Sequence, residues 1–213
     1  AEAMGLEVIY FDTMKKLPLG NARPIDTLNE LLNQSDFVTL HVPETPETKL
    51  MMSTDQLSEM KKHSYLINAS RGTVVDIPAL AKFLKKGHIS GAAVDVFPTE
   101  PGHNEEPFTS ELQGADNVIL TPHIGGSTEE AQIAIGGEVA ESIIRFLTGG
   151  STTGAVNFPN VEMPPAKDAI RMMNVHKNVP GVLGAINSVV SDLGANISAQ
   201  YLATEREIGV LVM

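Results

Sequence analysis

The sequence contains no cysteine, which excludes disulfide bonds, thiol nucleophiles and thiolate metal sites. It also lacks any apolar run that approaches the ~20 residues of a membrane helix, and no basic region precedes the apolar stretch near its start. Positive charge is scarce, because 15 lysines and arginines stand against 26 acidic residues, giving a net charge of −11. Such a charge repels a polyphosphate and argues against nucleic acid as a partner. These absences predict a cytoplasmic protein that binds neither nucleic acid nor membrane and has no metal site.

Hydrophobic residues, by contrast, make up 42% of the 213 residues, enough for a packed core. Between residues 6 and 122, short β-rich runs alternate with helical segments. The predicted strands are 6–12, 37–42, 64–70, 91–96 and 117–122, and the predicted helices are 27–34, 54–62 and 77–87. The runs are continuously apolar, as in strands covered on both faces of a parallel sheet. We expect N-caps at Thr27, Thr54 and Asp76. The alternation predicts an α/β fold with a doubly wound parallel sheet.

The pattern changes after the first domain, which we expect to cover residues 1–126. One long helix is predicted over 127–150, capped by Ser127 and stopped by a glycine pair. A second pair, Gly136-Gly137, interrupts this helix and indicates close packing against another element. Residues 151–167 are rich in Pro, Gly and Thr, which is typical of a linker. Residues 168–213 are predicted to form strand, helix, strand, turn and strand.

Chemically useful side chains follow the predicted strands, at the edge where doubly wound sheets bind ligands. Asp12 ends the first strand, and Arg71 follows the third. The fourth ends in Asp95, with Glu100 shortly after it, and His123 follows the fifth. Alone, each has an ordinary explanation as a turn former, a surface ion pair or a loop residue. Together they predict an acid–base set with an anchor for an anion.

Four segments resemble the D-isomer-specific 2-hydroxyacid dehydrogenases, in the order found in that family: "VTLHVPETPETK", "LINASRGTVVD", "AAVDVFPTEP" and "NVILTPHIGGST". More closely, "TPHIGGSTEEAQ" and the block from "MNVHKNVPGVLG" to "ANISAQYL" are similar to members that oxidise 3-phosphoglycerate in the first step of L-serine biosynthesis. The last block resembles an ACT domain, an α+β ferredoxin-like regulatory module. The resemblance therefore implies a Rossmann-type NAD-binding domain over 1–126 and a partial ACT domain over 168–213, with 127–150 returning to the substrate domain.

The resemblance also implies roles for the residues at the strand ends. His123 becomes the base for the C2 hydroxyl proton, Glu100 orients the imidazole, and Arg71 holds the α-carboxylate of the substrate. NAD becomes the cofactor, because an acid at Asp12 repels the 2′-phosphate of NADP. The residues expected to line NAD are Asp12, Ala69, Ser70, Arg71, Asp95, His123, Ile124, Gly125 and Gly126.

The ACT resemblance implies feedback regulation by L-serine as an allosteric effector. His176, Asn178 and Asn196 become the contacts of serine at an interface between two such domains, with Asn196 beginning a strand. Their residue types also suit ordinary turns and caps, and that alternative stays open. The family suggests a homotetramer.

One departure from the family pattern is large. The Gly-rich phosphate loop lies ~20 residues before the ribose-binding acid, yet only 11 residues precede Asp12. We therefore expect a fragment without its first strand and Gly-rich loop, with an incomplete ACT domain, that is inactive alone. Two alternatives remain: another D-2-hydroxyacid dehydrogenase, or a non-catalytic chain that binds serine or assembles with partner subunits.

Overall fold

The computed structural model describes residues 1–103, 105–165 and 169–213. The chain divides into two compact units, Ala1–Ile124 and Gly125–Met213. The predicted boundary between residues 167 and 168 lies outside the described residues.

Two parallel sheets occur in the first unit, where the sequence predicted one. Strands β1 (Ile9–Tyr10) and β2 (Arg23–Pro24) form a separate two-stranded sheet. The prediction that residues 6–12 join the main sheet is therefore wrong. β1 is held instead by hydrogen bonds from Arg23 N to Val8 O at 3.0 Å and from Ile25 N to Tyr10 O at 2.8 Å. The sequence did not predict β2, because this strand is only two residues long and contains a proline.

The main sheet of this unit has four parallel strands in the sequential order β3-β4-β5-β6. These strands are β3 (Phe37–Leu40), β4 (Ser64–Asn68), β5 (Ile89–Val94) and β6 (Val118–Leu120). The connecting helices are α1 (Leu28–Gln34), α2 (Thr54–Glu59) and α3 (Ile77–Lys85). The α/β class with a parallel sheet is thus confirmed. The predicted strands 37–42, 64–70 and 117–122 are shorter in the structure, and the predicted strand 91–96 begins and ends two residues earlier, as β5.

Hydroxyl and carboxylate caps fix where the helices begin. Thr27 accepts a hydrogen bond from Glu30 N, and Asp76 accepts one from Ala79 N at 2.9 Å, so both predicted caps are confirmed. The predicted cap Thr54 is wrong, because Ser53 occupies that position. Its hydroxyl donates to Gln56 Oε1 at 2.8 Å, within the first turn of α2.

Apolar side chains of the four-stranded sheet and the three helices form the core of the first unit. Its fully buried members include Leu32, Leu57, Leu66, Leu80 and Ile89. Burial of each such side chain contributes about 1.5–3 kcal/mol relative to exposure. This core holds the four strands in position. The ends of the strands therefore set where the following loops, which carry the candidate site residues, begin.

The second unit begins with α4 (Glu129–Gly149). Thr128, whose hydroxyl accepts a hydrogen bond from Ala131 N, caps this helix, so the predicted cap Ser127 is wrong by one residue. Gly150 ends it with a φ of 66°. The predicted close packing at Gly136-Gly137 is not formed with any of the described residues, none of which has a heavy atom within 4 Å of a methyl group added at either position.

A small antiparallel sheet completes the second unit, with the order β7-β9-β8. Its elements are β7 (Met173–Lys177), α5 (Val182–Asp192), β8 (Tyr201–Glu205) and β9 (Ile208–Val212). The predicted order of strand, helix, strand, turn and strand is confirmed. Asn196 does not begin a strand, however, since it lies in the exposed segment between α5 and β8.

Part of the predicted linker belongs to a second core. Val161 and Met163 are buried against Val210 and Val212 of β9. The buried Thr152 hydroxyl donates to Pro159 O at 2.6 Å and accepts from Val161 N at 2.8 Å. These bonds satisfy the polar groups of a tight loop, which lets the segment pack on the sheet.

None of the helices in the described ranges has the length and apolar character needed to cross a membrane.

Candidate active site

His123 lies three residues beyond the end of β6, in an unusual backbone conformation. Its φ is 51°, in the left-handed region that residues other than glycine rarely adopt. Such a conformation costs about 1–3 kcal/mol and persists only where neighbouring contacts hold it. The contacts of His123 therefore show what fixes its imidazole.

Asp95, directly after β5, holds this turn. Its Oδ1 accepts the backbone N–H of His123 at 3.2 Å and also the hydroxyl proton of Thr121. The backbone N–H of Asp95 in turn donates to Asn68 O at 2.9 Å. One carboxylate oxygen thus links the ends of two neighbouring strands and supports the left-handed conformation.

Glu100 lies against the imidazole of His123. Oε2 and Oε1 of Glu100 are 2.8 and 3.0 Å from His123 Nδ1, and both side chains are partly exposed. Because a carboxylate accepts hydrogen bonds, Nδ1 carries the proton, and Nε2 remains to exchange one with a substrate. Oε1 of Glu100 also accepts the backbone N–H of Phe97 at 2.8 Å, which fixes the carboxylate from its own loop.

The segment after β4 presents Arg71 beside this loop. Asn68 is fully buried, and its amide donates to Arg71 O at 3.0 Å while its oxygen accepts from Ser70 Oγ at 2.9 Å. Arg71 is exposed, and its Nη1 donates to Ser70 O at 2.7 Å. In the described part of the chain its guanidinium forms no ion pair. It is therefore available to an anion.

Gly72 brings the Arg71 segment into contact with the Glu100 loop. A methyl group at Gly72 would lie 2.0 Å from both the carbonyl carbon and oxygen of Phe97, and 2.6 Å from Pro98 N. Only glycine permits this approach of two backbones. Gly72 thereby holds the backbone next to Arg71 against Phe97 and Pro98, in the loop that carries Glu100.

Asp12, two residues after β1, forms a compact turn. Its Oδ1 accepts Met14 N at 2.8 Å, and its Oδ2 pairs with Lys16 Nζ at 2.6 Å. The hydrogen bond from Lys16, followed by that from the Met14 N–H, holds the pKa of Asp12 below its ordinary value. Asp12 is therefore ionised at neutral pH, as an acceptor of hydroxyl groups requires.

The remaining residues predicted to line a cofactor lie on both sides of the unit boundary. Ala69 is exposed, Ser70 is buried, and Ile124 is exposed at the end of the first unit. Gly125 and Gly126 begin the second unit, and a methyl group added at either would have no heavy atom of a described residue within 4 Å.

Two of the three residues predicted to bind serine, His176 and Asn178, lie at the carboxyl end of β7. His176 lies in β7 with its ring against Gly209, and its Nδ1 is buried without a hydrogen-bond partner among the described residues. Asn178 donates through its side chain to Arg206 O at 3.1 Å. Asn196 is exposed, and the structure shows no contact that joins it to His176 within the described ranges.

The contacts of two residues in the active-site arrangement were missed from the sequence. Thr121 precedes His123 by two residues, and only the fold reveals that its hydroxyl reaches Asp95. Gly72 directly follows Arg71, and a glycine beside a candidate catalytic residue was the available signal. Neither contact is local, so spacing alone does not show it.

The family of the chain follows from a comparison of its sequence. Residues 1–125 match the model of the "D-isomer specific 2-hydroxyacid dehydrogenase, NAD binding domain". The chain therefore belongs to the D-isomer-specific 2-hydroxyacid dehydrogenase family, whose matched domain binds NAD.

Individual members of the family show which of its proteins this chain is similar to. D-3-phosphoglycerate dehydrogenase of Escherichia coli (strain K12) is 55% identical over 213 residues, which is 100% of this chain and 52% of that protein. A solved D-isomer-specific 2-hydroxyacid dehydrogenase of Lactobacillus delbrueckii ssp. bulgaricus, in an NAD complexed form, is 33% identical with a TM-score of 0.61. The match covers 73% of this chain and 50% of that one.

A second solved relative is in complex with a cofactor that carries a 2′-phosphate. The D-isomer-specific 2-hydroxyacid dehydrogenase of Xanthobacter autotrophicus Py2, in complex with NADPH and MES, is 32% identical with a TM-score of 0.58. The match covers 67% of this chain and 57% of that one. By length, this chain spans about half of the curated relatives it matches.

The residues described above fit NAD. Asp12 offers an ionised carboxylate at a strand end, where ribose hydroxyls are bound in this fold class. Oδ2 of Asp95 accepts no hydrogen bond from the described residues, so it remains available to the carboxamide N–H groups. Acceptors for the ribose and for the nicotinamide are thus already present after the strands.

Proposed function

We propose that this chain is the NAD-binding and regulatory part of an enzyme that oxidises 3-phospho-D-glycerate to 3-phosphohydroxypyruvate, the first step of L-serine biosynthesis. One observation carries the chemistry: the hydrogen-bonded pair of His123 and Glu100 at the end of the parallel sheet. The choice of substrate is supported by the 55% identity to the E. coli relative. The proposal places the enzyme in the cytoplasm as a homotetramer.

Proton transfer is assigned to His123. In this proposal its Nε2 takes the proton of the C2 hydroxyl, and the carboxylate of Glu100 fixes the imidazole orientation through Nδ1. Glu100 also stabilises the imidazolium that proton transfer creates, because opposite charges 2.8 Å apart attract.

Substrate orientation is assigned to Arg71. Its exposed guanidinium offers a fork of N–H donors that matches the α-carboxylate of the substrate. When bound, NAD accepts the hydride from C2. Asp12, Asp95 and the backbone around Ala69 to Arg71 and His123 to Gly126 are assigned to holding it.

Substrate comparison tests this proposal. NADH formation by the full-length protein should be measured with 3-phospho-D-glycerate, D-glycerate and D-lactate. We expect kcat/KM for the phosphorylated substrate to exceed the others by about 10²-fold or more, because a site built for a polar group rejects analogues that lack it. Equal rates with D-lactate would indicate a different dehydrogenase of the family, and no NADH formation with any of them would contradict the proposal.

Feedback regulation by L-serine is assigned to the second unit. His176 supports this assignment, since its Nδ1 is buried and has no hydrogen-bond partner within the described ranges. An unsatisfied buried nitrogen costs about 1–3 kcal/mol, which a ligand carboxylate or hydroxyl would recover. Asn178 and Asn196 are assigned as further contacts at an interface between two such units.

Replacing Gly209 with alanine is expected to disrupt this regulatory site. The added methyl would lie 2.0 Å from His176 Cε1 and 2.4 Å from Nδ1, so the imidazole must move. We expect the free energy of unfolding to fall by about 1–3 kcal/mol and L-serine to bind about tenfold more weakly. Thermal denaturation and calorimetric titration with L-serine measure the two effects.

Gly184 provides the matched control for that variant. It lies in α5, where no heavy atom of the described residues would lie within 4 Å of an added methyl group, so Gly184→Ala leaves His176 in place. The control should bind L-serine with wild-type affinity. If Gly209→Ala bound L-serine with wild-type affinity, His176 would not be a contact of serine.

A further inference from the structure

Lys16 is a charged residue beside the cofactor site whose role neither the family assignment nor the proposed function defines. Its Nζ lies 2.6 Å from Asp12 Oδ2, and both side chains are partly exposed. Tyr10 holds the same residue from the other end, since its hydroxyl donates to Lys16 O at 3.0 Å. The ammonium group is therefore directed to the acid rather than free on the surface.

This ion pair changes the electrostatic argument for cofactor choice. A lone carboxylate at Asp12 repels the 2′-phosphate of NADP and favours the two ribose hydroxyls of NAD. The neighbouring ammonium cancels the net charge of the pair, so the repulsion is weaker than for the acid alone. An ammonium group is also itself a phosphate ligand.

Both oxygens of Asp12 are engaged before any ribose arrives. Oδ1 accepts the Met14 N–H and Oδ2 accepts from Lys16. Ribose hydroxyls must share these acceptors, whereas a 2′-phosphate needs the donor instead. The ribose hydroxyls of NAD thus bind to Asp12, whereas the 2′-phosphate of NADP binds to Lys16.

We propose that Lys16 is a specificity-determining residue that weakens the exclusion of phosphorylated dinucleotides imposed by Asp12, and that it becomes a ligand of the 2′-phosphate when the charge of Asp12 is removed. The proposal rests on the assignment of NAD to Asp12 in the proposed function. It concerns the choice between two cofactors, which the reaction chemistry does not fix.

Dissociation constants for NAD and NADP, measured by calorimetry on the full-length protein, provide the test. We expect Asp12→Asn to bind NADP about tenfold more tightly than the wild type, because Lys16 then forms a charge-assisted bond to the phosphate. In Asp12→Asn combined with Lys16→Met this gain should disappear. Lys16→Met alone should bind NADP about threefold to tenfold more weakly than the wild type.

Lys15 supplies the matched control, because it is an adjacent exposed lysine that forms no ion pair with Asp12. Lys15→Met combined with Asp12→Asn should keep the full gain in NADP affinity. If the Lys16 and Lys15 double variants bind NADP equally, the inference is wrong while NAD binding by the wild type still supports the proposed function. Failure of the wild type to bind NAD would overturn both.

Discussion

Replacing His123 with asparagine is expected to lower kcat about 10³-fold in the full-length protein, since general-base catalysis contributes roughly 10²–10⁴-fold. The dissociation constant of NAD should stay within about threefold of the wild-type value, because Asp12 and Asp95 remain in place. A loss confined to kcat would identify His123 as the group that transfers the proton. Steady-state kinetics and calorimetric titration with NAD measure both quantities.

Two further variants sharpen this result. His103→Asn is the matched control, because His103 is an exposed loop histidine, and it should retain wild-type kcat. Glu100→Gln should lower kcat about 10²-fold or more, and adding it to His123→Asn should cost little extra, because residues that act as a unit are not additive. If His123→Asn kept more than a tenth of the wild-type kcat, the base would have to be sought elsewhere.

Replacing Gly72 with alanine should be nearly as damaging, although glycine carries no chemistry. The methyl would lie 2.0 Å from the Phe97 backbone, which must move together with the carboxylate of Glu100 that its N–H fixes. We expect kcat to fall about 10²-fold from this displacement. The free energy of unfolding should fall by about 1–3 kcal/mol from overpacking. Steady-state kinetics and thermal denaturation measure these effects.

The same substitution elsewhere separates steric displacement from a general effect of alanine. Gly137→Ala adds its methyl within α4, where no heavy atom of the described part of the chain lies within 4 Å. It should leave kcat unchanged and stabilise the helix by up to about 1 kcal/mol. Wild-type kcat in Gly72→Ala would mean that Glu100 does not depend on this backbone contact.

Features set by neighbouring residues could be predicted from the sequence. Thr27 and Asp76 bond to backbone groups three residues away, so a hydroxyl or carboxylate before a helical pattern is sufficient evidence. The same logic fails where two adjacent residues can both cap. Ser53 replaces Thr54 for this reason, and Thr128 replaces Ser127.

Features set by distant parts of the chain were predicted only in part. The strand ends indicated that Glu100 and His123 meet, because parallel strands deliver their following residues to one edge. The carboxylate of Asp95 under the turn, the approach of Gly72 to Phe97 and the β1–β2 pair all depend on packing between segments remote in sequence. Asn196 was misplaced because an irregular segment after a glycine resembles the start of a strand.

The two carboxylate oxygens of Asp95 affect how variants at this edge of the sheet are interpreted. Its Oδ1 serves the turn that contains His123, and its Oδ2, which accepts no hydrogen bond from the described residues, is assigned to the proposed contact with NAD. Any substitution there alters the folding of the loop and the ligand contact together. Kinetic defects of Asp95 variants therefore combine two contributions, and Thr121→Val, which touches only the loop, isolates the first of them.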